Sequence, residues 1–187
     1  MNINFLRWLK MDLYKKIRNV PNWPVEGIQF KDITTLCQDA KAFKEAIDKI
    51  AMHYKKMKID KIVAMEARGY VFGAPLAYLL GAGFVLLRKP NKLPYKTIEE
   101  EYEKEYGKDK ITCHIDAINP GENVLVIDDL LATGGTALAA ARLVEKMKGK
   151  VVECGFLIEL TGSLHGREFL EKNGYKSWSL LQIEVEE

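Results

Sequence analysis

The stretch Val124-Leu-Val-Ile-Asp-Asp-Leu-Leu-Ala-Thr-Gly-Gly-Thr136 decides the fold of this chain. Its first half is apolar and predicts a buried strand at 123–128. A helix is predicted after it, over about 135–148. Two carboxylates and a short loop separate the strand from the helix. In open parallel sheets such loops, beyond the carboxyl ends of the strands, are where ligands bind.

Strands and helices alternate on both sides of this unit. Further strands are predicted at 61–66, 83–88 and 151–160, and helices at 12–20, from about Asp39 onward and at 69–80. Because parallel strands need long crossovers, the pattern predicts an α/β fold with a mostly parallel central sheet flanked by helices.

The length of 187 residues predicts a single domain over 1–187. Residues 89–115 are polar and charged, and a break of that length predicts a functional loop or a mobile hairpin. Residues 1–10 lack the apolar run and cleavage site of a signal peptide, so we interpret them as an extension without a part in chemistry.

Composition excludes several classes of function. A net charge of +2 gives no reason to expect nucleic acid or an anionic membrane as partner, and no apolar run reaches the length of a membrane span. The three cysteines lie far apart and form no CxxC pair, which favours free thiols in a reducing cytoplasm over a zinc site or disulfides. The histidines are scattered, and no Ser-His-Asp cluster is legible.

The loop after the third strand has the chemistry of a sugar-phosphate site. Gly134 and Gly135 let the backbone approach an anion, and the free amides at a helix start favour its charge. The hydroxyls of Thr133 and Thr136 add donors, while adjacent carboxylates at 128 and 129 suit the two hydroxyls of a ribose. The alternative is an ordinary capped helix with two solvated aspartates. The spacing fits neither Gly-Lys-Ser/Thr nor GxGxxG nucleotide loops.

This segment resembles the phosphoribosyl pyrophosphate motif of the phosphoribosyltransferase family. Its form, Asp-Asp-Leu-Leu-Ala-Thr-Gly-Gly-Thr, resembles the adenine phosphoribosyltransferases in particular. Further matching segments lie in the same order along residues 14–182, at 27–33, 66–73, 88–94 and 101–107. The resemblance implies a phosphoribosyltransferase-like fold with a small N-terminal hood, which we place at 12–36, and a flexible catalytic lid loop at 89–115.

The resemblance also implies an activity. The chain is expected to convert adenine and phosphoribosyl pyrophosphate to AMP and pyrophosphate in purine salvage, using Mg²⁺ with the donor. No direct protein ligand for the metal is assigned. The family commonly forms homodimers, so a homodimer in the cytoplasm is expected, with small-molecule substrates and neither nucleic acid nor membrane as partner.

Site residues follow from the same matches. The resemblance assigns the donor's phosphate and ribose to Asp128, Asp129, Ala132, Thr133, Gly134, Gly135 and Thr136, and the pyrophosphate to Arg68, Arg88, Lys89 and Lys92. It assigns the base to Gln29, Phe30, Lys31 and Leu130, and the tip of the lid to Glu105 and Tyr106. Catalytic roles are expected for Glu105, Arg68, Asp128 and Asp129, with Glu105 holding or moving the proton on the base.

Each of these assignments has a plainer alternative. Arg68 could be a surface arginine at a strand end, the basic run 88–92 a solvated loop, and the acidic run 99–105 a solvated face. Lys31 lies at a position where arginine is common in the family. The resemblance therefore supports a backbone contact with the base at this position but not a side-chain contact.

Two other functions remain open from the sequence. One is a non-catalytic sensor that binds the donor and regulates a partner. The other keeps the reaction but changes the base to hypoxanthine, guanine, xanthine or orotate, since physical reasoning alone reaches only a flat base.

Overall fold

The computed structural model describes residues 12–103 and 107–185. The five α-helices in this part of the chain are α1 (Thr34–Gln38), α2 (Ala40–Tyr54), α3 (Arg68–Leu80), α4 (Gly135–Lys146) and α5 (Gly166–Lys172). The nine strands described are β1 (Arg18–Pro21), β2 (Gln29–Asp32), β3 (Lys61–Met65), β4 (Gly83–Leu87), β5 (Thr97–Glu103), β6 (Lys108–His114), β7 (Asn123–Leu131), β8 (Lys150–Gly162) and β9 (Ser177–Val185).

A five-stranded sheet forms the centre of the larger of two compact units, which begins at Ile50. Its strand order is β4-β3-β7-β8-β9, and every neighbouring pair is parallel. The fold class predicted from alternating strands and helices is therefore confirmed. Because all strands run the same way, the loops after β3, β4, β7 and β8 meet at one edge of the sheet.

The core of this unit explains why the sequence folds in this way. β7 carries four consecutive buried residues from Val124 to Ile127, as expected of a central strand covered on both faces. α4 contributes an alanine-rich buried face, and small side chains let a helix lie close to a sheet. Cys113 and Cys154 are fully buried and Cys37 is half-buried, and none of the three is in a disulfide bond.

The smaller unit comprises the described residues up to Lys49. It contains a short 3₁₀ helix at Leu13–Lys16 and the antiparallel pair β1–β2, in which Val20 faces Phe30. The helix predicted at 12–20 is wrong beyond this one turn, because Arg18–Pro21 pairs as a strand with β2. Pairing between segments has overridden the local preference.

β5 and β6 pair as the two strands of a second antiparallel hairpin. Ile98 and Tyr102 pack against the core of the larger unit. The backbones of Arg88 and Thr112 exchange two hydrogen bonds, of 3.0 Å and 2.7 Å, which join the hairpin to the chain after β4. The stretch that interrupts the strand–helix alternation is thus a hairpin attached at its base.

Other boundaries shift from the predicted ones. β7 continues three residues past the predicted end at Asp128, and α4 ends at Lys146 rather than 148. β9 and α5 were not predicted. No helix among the described residues is long and apolar enough to span a membrane. The predicted extension at 1–10 lies outside the described residues.

Candidate active site

The loop between β7 and α4 has the geometry of an anion cradle. Gly134 caps α4 with φ of 86°, a left-handed conformation that glycine adopts without strain. No side chain caps the helix, so its first amides are not covered by a capping group. A cavity of about 220 Å³ opens over this loop. Its lining includes all seven residues predicted for the phosphate and ribose, together with Arg68, Leu130, Leu131, Ala137 and Phe156.

Arg68 and the twin carboxylates meet in this cavity. Arg68 is the first residue of α3, and its Nε lies 3.0 Å from Oδ2 of the buried Asp129. Asp128 accepts a hydrogen bond of 2.9 Å from the backbone amide of Asp129. The structure therefore brings Arg68 from the predicted pyrophosphate set together with the predicted ribose-binding pair.

Burial sets the charge of the carboxylate pair. It raises the pKa of Asp128 well above the ordinary value, and the neighbouring charge of Asp129 adds to this rise. Burial also raises the pKa of Asp129, although the guanidinium of Arg68 acts in the opposite direction. Such a pair gains from hydroxyl donors or cationic charge brought by a ligand, because either stabilises the ionised form.

Gly69 allows α3 to approach these acids. A Cβ at this position would lie 2.9 Å from Asp128 Oδ1 and 3.1 Å from the carbonyl oxygen of Ile127. The peptide bond between Glu66 and Ala67, just before α3, is cis. The segment Glu66-Ala-Arg-Gly69 thus turns directly from β3 into the cavity wall.

Arg88 follows β4 and is held by a partner that the sequence did not suggest. Its Nε and Nη2 donate to the two carboxylate oxygens of Glu66, at 3.1 Å and 2.6 Å, and Nη1 donates to the carbonyl oxygen of Lys92. Hydrogen bonding to Arg88 holds the pKa of Glu66 below its ordinary value. The guanidinium is therefore oriented before any ligand arrives.

The other predicted pyrophosphate residues lie on the same loop. Lys89 Nζ lies 3.5 Å from Asp109 Oδ2 of β6, and Asn91 adopts a positive φ of 64° that turns the chain. The Lys92 carbonyl, rather than its ammonium, is the group in contact with Arg88. These residues surround the end of β4, and their roles stay predictions.

The base of the predicted lid is fixed to the larger unit. Lys146 of α4 forms an ion pair with Glu100 and donates to the backbone carbonyl of Glu99 at 3.1 Å. Glu105 and Tyr106, the predicted tip, lie outside the described residues. The roles assigned to them stay predictions.

The predicted base-binding residues lie in both units. In the smaller unit, Phe30 packs edge-on against Trp23 with ring centroids 4.3 Å apart. Asn19 joins the side chains of Gln29 and Lys31, accepting from Lys31 at 2.7 Å and donating to Gln29 at 2.8 Å. In the larger unit, Leu130 lines the cavity. The side chains of Gln29 and Lys31 are thus both hydrogen-bonded to Asn19, and contact of their backbones with a base stays a prediction.

The carboxylates also bear on the expected magnesium. Among residues 12–103 and 107–185, no group of three His, Cys, Asp or Glu side chains is arranged to hold a metal ion. Asp128 and Asp129 offer hard oxygen atoms of the kind that Mg²⁺ prefers, but only as a pair. The residues fit a metal that arrives with oxygen ligands of its own, from a polyphosphate and water.

Sequence reasoning missed Glu66 as the partner of Arg88. It also missed the pair formed by the buried Glu159 and the half-buried Arg167 beside the cavity loop. Opposite charges follow two strands at Glu66 and Arg88, and lie on a strand and the next helix at Glu159 and Arg167. A single sequence did not indicate that they meet, because the contacts depend on strand order.

Comparison with known proteins gives a consistent result. The phosphoribosyl transferase domain family matches residues 31–183. An adenine phosphoribosyltransferase of Desulfosudis oleivorans is 54% identical over 176 residues, covering 94% of this chain and all of the relative. The crystal structure of adenine phosphoribosyltransferase from Thermoanaerobacter pseudethanolicus is 50% identical, with a TM-score of 0.87, and the match covers 91% of this chain and 98% of that one.

A third similar structure carries ligands. The Saccharomyces cerevisiae adenine phosphoribosyltransferase is 37% identical with a TM-score of 0.82, covering 92% of this chain and 98% of that one. It was crystallised with adenine and an imino-altritol bisphosphate.

Proposed function

The chain belongs to the phosphoribosyltransferase family, among the adenine phosphoribosyltransferases, and from that premise we propose that it joins adenine to the sugar of phosphoribosyl pyrophosphate. The products are AMP and pyrophosphate. One observation carries the proposal for this chain: a single cavity is lined by Arg68, both aspartates and the whole loop 132–136. A ligand with one phosphate, two vicinal hydroxyls and a leaving pyrophosphate has a matching group for each part.

The phosphate loop anchors the donor in this proposal. The 5-phosphate of the donor is held by the amides at the start of α4 and by the hydroxyls of Thr133 and Thr136. Because this phosphate takes no part in bond breaking, its binding free energy orients the sugar for reaction.

Charge around the sugar favours departure of pyrophosphate. Asp128 and Asp129 accept from the ribose hydroxyls and stabilise the positive charge that develops on the sugar. The bond from the anomeric carbon to the pyrophosphate oxygen breaks, and the bond to the base nitrogen forms on the opposite face. The leaving group moves toward Arg68, Arg88, Lys89 and Lys92.

The base loses a proton as it attacks. We assign Glu105 to hold or move that proton, and the lid at 89–115, with Tyr106 near its tip, to exclude water from a reactive sugar cation. Phe30 stacks on the flat base, and Leu130 and the backbones of Gln29 and Lys31 contact it. Adenine bound to the yeast relative supports the choice of base.

When Mg²⁺ is bound with the donor, it would supply positive charge that offsets the negative charge of the leaving pyrophosphate. Asp128 and Asp129 would hold it in place, through water or the ribose hydroxyls.

Dimer formation and cellular location complete the proposal. α3 exposes Val71, Tyr78 and Leu79, with Tyr78 87% exposed, and such an apolar face supports pairing with a second copy of the chain. Free thiols are typical of a reducing cytoplasm. Light scattering on purified protein tests the dimer, and Tyr78→Glu should shift the mass toward the monomer if this face is the interface.

The activity is tested by incubating the protein with phosphoribosyl pyrophosphate, Mg²⁺ and adenine, and measuring AMP. Parallel reactions contain a second base in competition with adenine: hypoxanthine, guanine, xanthine or orotate. We expect AMP as the main product. Tight donor binding without turnover of any base would instead support the sensor function, and preferred turnover of another base would correct the substrate.

A further inference from the structure

An ion pair between a buried glutamate and a half-buried arginine lies directly behind the phosphate loop. Glu159 of β8 is 4% exposed, and Arg167 is the second residue of α5. Arg167 Nε donates to Glu159 Oε1 at 2.8 Å, and its Nη2 donates to Oε2. The pair is a two-pronged contact of the kind that fixes direction as well as distance.

The strands around Glu159 reinforce this contact. Ser179 Oγ donates to Glu159 Oε2 at 2.6 Å, and Gln182 Nε2 donates to the same oxygen at 3.3 Å. Arg167 also donates to the carbonyl oxygen of Ser177 at 2.9 Å. Burial raises the pKa of Glu159, but hydrogen bonds from Arg167 and Ser179 outweigh it and hold the pKa below the ordinary value. The carboxylate is therefore charged at neutral pH.

The pair is linked to the phosphate loop by backbone contact. Glu159 is the strand partner of Leu131, the last residue before the loop. Gly166, next to Arg167, lies so close that a Cβ on it would be 2.2 Å from the carbonyl oxygen of Ala132. From the other side, a Cβ on Gly134 would be 3.0 Å from the Gly166 carbonyl oxygen. The first turn of α5 is thus the surface against which the loop rests.

Stability alone does not account for an ion pair at this place. Such a pair often adds little compared with apolar side chains of similar size, while loss of Arg167 would leave the buried charge of Glu159 without its partner. A forked pair does, however, define one position for the helix that carries it.

Resting on the proposed function, we propose that Arg167 is a positioning residue for the transfer reaction. Through Glu159 it fixes the first turn of α5 against residues 132–134, and so it sets the affinity of the loop for the 5-phosphate of the donor. Neither side chain lines the cavity, so the effect passes through the backbone contact between Gly166 and the loop.

The test compares Arg167→Lys and Arg167→Ala with Arg142→Ala. Arg142 is a matched control, because it lies on α4 and donates to Asn173 at the other end of α5. We expect Arg167→Lys to raise KM for phosphoribosyl pyrophosphate and Kd for ribose 5-phosphate about tenfold, with KM for adenine changed less than about twofold. Arg142→Ala should leave all three constants unchanged.

Two further measurements separate positioning from simple loss of stability. Thermal unfolding reports the folded fraction of each variant, and the constants are compared at temperatures where all are folded. Glu159→Ala combined with Arg167→Ala should be no worse for Kd than the worse single variant, because both changes break one contact. If Arg167→Ala does not fold, Ser179→Ala and Arg167→Lys decide, since both weaken the contact without leaving Glu159 unpartnered.

The proposal is overturned if these variants melt earlier yet bind ribose 5-phosphate as the unmodified protein does, or if KM for adenine rises equally. Calorimetric binding of ribose 5-phosphate needs no turnover. One outcome would separate the two proposals: the unmodified protein binds ribose 5-phosphate more tightly than the Arg167 variants but makes no AMP. That result would refute the proposed function and support this inference.

Discussion

The guanidinium of Arg88 donates two hydrogen bonds, of 3.1 Å and 2.6 Å, to the carboxylate of Glu66. The two residues follow the neighbouring strands β4 and β3. A third bond runs from Nη1 to the Lys92 carbonyl, so these contacts use three of the five N–H donors and leave two for an anion. An arginine held in this way loses little freedom when an anion binds, which lowers the cost of binding.

Arg88→Lys is the first prediction. Lysine keeps the charge but cannot form the two-pronged contact with Glu66. The cation is then no longer oriented, and at least one charge-assisted bond to the leaving pyrophosphate should be lost. We expect kcat/KM for phosphoribosyl pyrophosphate to fall by about ten- to a hundredfold, from roughly 1.5–3 kcal/mol per such bond. Steady-state kinetics with varied donor measure it, and Lys56→Arg, a change at an exposed residue in the turn after α2, is the control. An unchanged kcat/KM would show that Arg88 does not serve the leaving group.

Gly134→Ala is predicted to weaken donor binding. Alanine at φ of 86° costs about 1–2 kcal/mol, and its Cβ would also press on the Gly166 carbonyl. Gly121→Ala is the matched control, because Gly121 has φ of 85° with nothing within 4 Å of a Cβ. Both variants should lose similar stability from backbone strain, while only Gly134→Ala should raise Kd for ribose 5-phosphate, by about tenfold or more.

Alanine variants of two glycines in α3 distinguish an effect on catalysis from an effect on packing. A Cβ at Gly69 would meet Asp128 Oδ1, whereas one at Gly73 would meet Ala64 and the Phe84 ring at 2.8 Å. Overpacking costs about 1–3 kcal/mol, so both alanine variants should unfold at lower urea concentrations. Only Gly69→Ala should reduce kcat in the AMP assay. Equal loss of kcat in both would mean that Asp128 tolerates the displacement.

A pH dependence is predicted in the smaller unit. Lys16 donates to Asp39 at 2.7 Å, and this hydrogen bond, with those from the first amides of α2, lowers the pKa of Asp39 below its ordinary 3.8. The ordinary pKa of 3.8 applies to Asp39 in the unfolded chain. The contribution of Asp39 to the free energy of unfolding is therefore complete above that pH and is lost as pH falls through the lower pKa of the folded protein. Asp39→Asn keeps the helix cap without the charge.

The measurement is the free energy of unfolding in urea at pH 7, 5 and 3. Between pH 5 and 3 the unmodified protein should lose more stability than Asp39→Asn. Parallel losses would show that the Lys16 contact contributes nothing to stability in solution.

The central strands could be predicted because continuous apolar runs such as 124–127 are typical of strands buried on both faces. β9 could not be predicted in this way, since polar residues alternate along Ser177–Val185 at the edge of the sheet. The short α5 also lacks a full helical period of apolar residues.

The phosphate loop was predictable because its function needs residues adjacent in sequence, from Asp128 to Thr136. Contacts such as Glu66 with Arg88, 22 residues apart, depend on which strands become neighbours. Physical patterns in one sequence do not specify that order, and so the partners of the predicted cations emerged only in three dimensions.

The bridge between Arg88 and Thr112 has a consequence for experiment. The amide hydrogen of Thr112 is held by the carbonyl of Arg88 at 2.7 Å, at the point where the hairpin joins the sheet. Its exchange with deuterium requires that joint to open. The exchange rate of this one amide proton, followed by NMR, therefore reports how often the hairpin detaches from the sheet.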